Sequence, residues 1–116
     1  MIALAPYAQP LLNVGKLPDV KAPVLFQAGE LDQAVPPQVI QDIFGRATGP
    51  RCSVVYQGAG HLAWVYPGVA PADLAQPQFN DAMSVAAIAF LKDALDGLPL
   101  TAASLTSAQA RPPECK

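Results

Sequence analysis

Two residues carry the most pointed chemistry in this sequence: Asp32, within GELDQAVPP, and His61, within GAGHLAW. A carboxylate that accepts one imidazole N–H fixes the ring's tautomer and leaves the second nitrogen free to take a proton, as a general base must. The two residues stand 29 positions apart. One strand–helix–strand unit is about 30 residues long, so neighbouring parallel strands could deliver them side by side. Each follows an apolar run that breaks at glycine: Val24–Phe26 and Gly29 before Asp32, Ser53–Tyr56 with Gly58 and Gly60 before His61. In open parallel sheets, functional groups sit just beyond the carboxyl ends of the strands. Taken singly, Asp32 could be a turn or capping aspartate and His61 a histidine satisfied by backbone. Glu30 is a rival acid, closer to the strand and of the kind that serves as a solvated turn residue.

GELDQAVPP followed by GAGHLAW resembles the last third of an α/β-hydrolase, nearest to the dienelactone-hydrolase-like and polyester-hydrolase-like esterases. The resemblance spans about Ile2 to Gly97. In that fold the nucleophile, acid and histidine follow one another in that order along the chain. It therefore implies that Asp32 is the acid, that His61 is the base, and that the substrate is a small-molecule carboxylic ester or lactone, with no cofactor. The serine is not matched. No G-x-S-x-G occurs, and Ser53, Ser84, Ser104 and Ser107 lack the flanking glycines of a nucleophile elbow. The implied role is a C-terminal segment that supplies the acid and histidine but not the serine, inactive by itself. Trp64 and Tyr66, just after the histidine, could wall an acyl or aromatic pocket; packing the loop against the last helix explains them equally well. Similar secreted esterases pin their C-termini with a disulfide, which would join Cys52 to Cys115. The two cysteines alone also allow a buried thiol and an unrelated tail thiol.

The elements that must position Asp32 and His61 follow from periodicity. Ile2–Leu4 is a short buried strand that ends at proline. Residues 9–21 read as a loop. Val24, Leu25 and Phe26 are consecutive apolar residues, the pattern of a strand covered on both faces, and Val54–Tyr56 repeat it. Pro36 and Pro37 suit a helix entrance, after which Val39, Ile40, Ile43 and Phe44 form an amphipathic stripe. Residues 63–77 read as a long loop. Met83, Ala86, Ala87, Phe90, Leu91 and Ala94 define a second helix ending near Gly97 and Pro99. The expected fold class is α/β: about three parallel strands with a helix on each face, the C-terminal part of an α/β-hydrolase fold without its nucleophile-bearing N-terminal part. Residues 1–97 would form this partial domain, and residues 98–116, rich in Ala, Ser, Thr and Pro, a mobile tail.

Composition narrows the function classes. With 116 residues, 52% hydrophobic and 14% charged, the chain is apolar for a size at which much of the surface must face water. The first strand begins abruptly at Met1, and its outer edge has no partner in this chain. A fragment, or one piece of a complex, is therefore expected. The alternative to the esterase segment is a non-catalytic interaction subunit that docks, or self-associates, through that open strand edge. The net charge is −2, and the seven cationic side chains are scattered, unlike the clustered basic face of nucleic-acid binders. No apolar run reaches the ~20 residues of a membrane span. Asp19, Asp42, Asp73 and Asp81 show no metal-ligand spacing, and no Gly-rich phosphate loop is present for nucleotide binding. Cys52 at a strand start is a poor nucleophile. Localisation is not readable, although a Cys52–Cys115 bridge would fit a secreted or periplasmic protein.

Overall fold

The computed structural model describes residues 1–4, 19–64 and 76–116. Four strands, β1 (Ile2–Leu4), β2 (Val24–Gly29), β3 (Arg51–Tyr56) and β4 (Glu114–Cys115), form one sheet in the order β1-β2-β3-β4. The first three run parallel and β4 is antiparallel to β3. Among the described residues, two helices, α1 (Pro37–Arg46) and α2 (Pro77–Leu95), join these strands in a small α/β fold.

The consecutive apolar residues of β2 and β3 sort by parity, because successive strand side chains point to opposite faces. Val24, Phe26, Ala28 and Val55 pack with Ile40, Ile43 and Phe44 of α1. Leu25, Cys52, Val54 and Tyr56 pack with Phe79, Met83, Ala86 and Phe90 of α2. Each helix thus covers one face, as the double-sided burial of the strands requires. Gln27 is the one polar side chain of β2 on the α2 face, and its Oε1 accepts a 2.6 Å hydrogen bond from the Tyr56 hydroxyl. Burial raises the Tyr56 phenol well above its ordinary range, so the hydroxyl remains a donor.

Two expectations need correction. The sheet is mixed and four-stranded, not three parallel strands alone. The cause is the tail, expected to be mobile, which the structure fastens to the β3 edge. Cys115 is disulfide-bonded to Cys52. Arg51 and Lys116 exchange backbone hydrogen bonds, Arg111 N–H donates to the Val55 carbonyl, and Gln57 N–H donates to the Gln109 carbonyl. Pro112 and Pro113 lack N–H donors, so the pairing is interrupted and β4 is only two residues long. Leu105, in a 3₁₀ turn at Ala103–Leu105, is buried in the α2-side core. On α2 itself Leu91 is exposed, together with Val85, Ile88 and Leu95, so the buried stripe is narrower than its period suggests. Among the described residues, the outer edge of β1 has no strand partner.

Candidate active site

The parallel pairing of β2 and β3 sets Gly29 opposite Tyr56. Both strands therefore end level, and Asp32 and His61 emerge from the same end of the sheet. Asp32 Oδ2 lies 2.9 Å from His61 Nδ1. The Asp32 side chain is fully buried and that of His61 is 45% exposed. Its other oxygen, Oδ1, accepts the N–H groups of Ala34 at 2.9 Å and Val35 at 2.8 Å. Both uses of the aspartate coexist, one oxygen capping the turn and the other meeting the imidazole. A carboxylate only accepts hydrogen bonds, so Nδ1 carries the proton in this contact and Nε2 is the basic nitrogen.

Close approach of the two strand-end turns makes the contact. Leu31 N–H donates to the Ala59 carbonyl and Glu30 N–H to the Tyr56 carbonyl. A Cβ on Gly29 would lie within 3.0 Å of both the oxygen and the carbon of the Ala59 carbonyl, a separation that real Cβ atoms essentially never show. Gly29 is thus required for proximity. Gly58 is required for conformation: its φ of 75° is left-handed, a region that Cβ-bearing residues seldom enter.

Glu30 is not the partner of His61. One of its carboxylate oxygens pairs with the Arg111 guanidinium, and the other accepts the Gly58 N–H at 3.0 Å. Arg111 first, and then the Gly58 N–H, hold this carboxyl below its ordinary value of 4.5. The stabilisation is therefore complete above that value and lost as the pH falls through the lower folded-state value. Melting temperatures recorded across the acid range are expected to drop for the unaltered chain and to fall less steeply for Glu30→Gln; equal acid limbs would contradict this.

Sequence reasoning missed Gln76. Its Oε1 accepts the Gly60 N–H at 3.0 Å, and its Nε2 donates to the Gly58 carbonyl at 3.1 Å. The only local cue is a residue that is not a favoured N-cap type at the N-cap of α2, where it makes no side-chain capping bond.

A cleft of about 520 Å³ opens beside the pair, lined by Leu31, Ala34, Gly60, His61, Leu62 and Gln76 among others. Trp64 does not line it. It is part-buried against both core clusters and borders a separate groove between β1 and α2. Tyr66 lies outside the described residues. Among the described residues, no serine lines the cleft: Ser53 is buried in β3, Ser84 is on α2, Ser104 bonds to Asp93, and Ser107 to Gln109. Cys52 is tied up in the disulfide.

No protein-family model and no curated protein matches this chain. Among the described residues, no group of three or more His, Cys, Asp or Glu side chains could hold a metal ion. No described helix is long and apolar enough to cross a membrane.

Proposed function

We propose that this chain is the C-terminal segment of a serine hydrolase acting on carboxylic esters or lactones, built on the corresponding part of an α/β-hydrolase fold. The observation that carries the reading is the 2.9 Å contact between buried Asp32 and His61 at level ends of adjacent parallel strands. In this reading His61 Nε2 takes the proton of a serine hydroxyl as that oxygen attacks the ester carbonyl, and later returns it to the leaving alcohol. Asp32 holds the tautomer and stabilises the imidazolium formed between the two steps. The serine and the oxyanion-hole donors come from a segment outside this chain. The apolar cleft beside His61 receives part of the ester, and the Cys52–Cys115 bridge suits an oxidising compartment such as the periplasm or the cell exterior.

The purified chain is expected to show no turnover of a short-chain nitrophenyl ester. Turnover that disappears in His61→Ala would place a nucleophile within this chain. Reading the coding sequence upstream of Met1 is expected to show an in-frame G-x-S-x-G. The longer product should hydrolyse the ester, and His61→Ala should lower its kcat by about 10⁴-fold or more. Full activity of that variant would overturn the proposal.

A second reading is favoured by one observation: among the described residues the outer edge of β1 has no strand partner. Here the chain is a non-catalytic subunit that pairs through this edge with another chain or with its own copy. Size-exclusion chromatography decides it: a monomer with full helix and strand content argues against docking.

A further inference from the structure

The turn that presents His61 has little stiffness of its own. It contains two glycines in three residues, Gly58 and Gly60, and glycine has the largest conformational freedom to lose. The ring is nearly half exposed, so packing alone does not fix it. What holds the turn is a set of hydrogen bonds from other segments. Glu30 takes the Gly58 N–H, and Leu31 donates to the Ala59 carbonyl. Gln76 takes the Gly60 N–H and donates to the Gly58 carbonyl.

We propose that Gln76 is a positioning residue for His61, its single amide bracketing the turn on both sides of Ala59 so that the imidazole stays within reach of Asp32. The argument is one of donor and acceptor geometry. A primary amide carries an acceptor oxygen and a donor nitrogen on one planar terminal group, so it can accept from one backbone N–H and donate to a carbonyl two residues earlier. Gln76 stands at the N-cap of α2 but makes no side-chain bond to that helix, so its hydrogen-bonding capacity serves the histidine turn. The helix that covers one face of the sheet thereby also sets where the base points. This role rests on the reading of Asp32 and His61 as an acid–base pair.

The chain contains one histidine, which makes the test direct. Proton NMR of the unaltered chain is expected to show one far-downfield Nδ1–H resonance, removed by Asp32→Ala. Gln76→Met keeps the side chain's length and removes both hydrogen bonds. It should quicken exchange of the Gly60 amide about five- to tenfold, the factor that one net hydrogen bond contributes. It should also broaden or abolish the His61 resonance while leaving the far-UV circular dichroism unchanged. Gln76→Glu, which keeps the acceptor and loses the donor, should fall between the two. An unaltered resonance or unaltered Gly60 exchange in Gln76→Met overturns the role of Gln76 alone. Absence of the resonance from the unaltered chain counts against the acid–base pair, and the positioning role falls with it.

Discussion

Gly29→Ala is expected to separate His61 from Asp32 while leaving most of the sheet intact. The new methyl group would meet the Ala59 carbonyl inside 3.0 Å, and that carbonyl is already the acceptor for Leu31 N–H. Neither group is the free end of a flexible side chain, so one of the two strand-end turns must retreat. Forcing extra volume into such a contact costs roughly 1–3 kcal/mol. In the proposed hydrolase the loss of rate should be larger than the stability loss suggests, because a displacement of about 1 Å in a catalytic pair can cost about 100-fold in rate. The single histidine provides the measurement, since its downfield Nδ1–H resonance should vanish from Gly29→Ala. Retention of that resonance with an unchanged melting temperature would show that the two turns do not need their observed proximity.

The second large effect concerns the disulfide. Cys52 and Cys115 are 63 residues apart, and closing a loop of that length removes unfolded-chain entropy worth about 4 kcal/mol. The paired variant Cys52→Ala, Cys115→Ala should therefore melt roughly 10 °C or more below the unaltered chain. Circular dichroism with and without reductant checks it. The loss should spread beyond the tail, since Arg111 pairs with Glu30 and Glu30 holds the Gly58 N–H. Faster exchange of the Gly58 amide is the expected companion. A melting temperature within about 3 °C of the parent would mean that the tail's backbone bonds and Leu105 fasten it without the bridge.

What could be read from the sequence follows from how local each signal is. Val24–Phe26 and Val54–Tyr56 announce buried strands because both faces of the sheet are covered, and the apolar code needs only neighbouring residues. Ile40, Ile43 and Phe44 mark α1 in the same way. Asp32 and His61 were legible as a pair through their distance along the chain. The tail was not. Glu114–Cys115 has no periodicity to find, and its place beside β3 depends on a cysteine 63 residues away and on backbone bonds to Arg51 and Val55. Leu91 shows the opposite failure: its spacing fits the stripe on α2, yet its side chain is exposed. Trp64 follows the histidine in sequence and still turns to the groove between β1 and α2. Gln76 carries no motif, because its partners are backbone atoms of a turn that only the tertiary fold brings near.

Both chain ends lie at the base of the sheet. The Met1 amino group donates to the Pro23 carbonyl, just before β2, and Lys116 exchanges backbone bonds with Arg51, where β3 starts. Asp32 and His61 follow the opposite ends of those strands. Anything joined to either residue, a tag or further chain, therefore sets out from the side of the sheet opposite the His61 cleft.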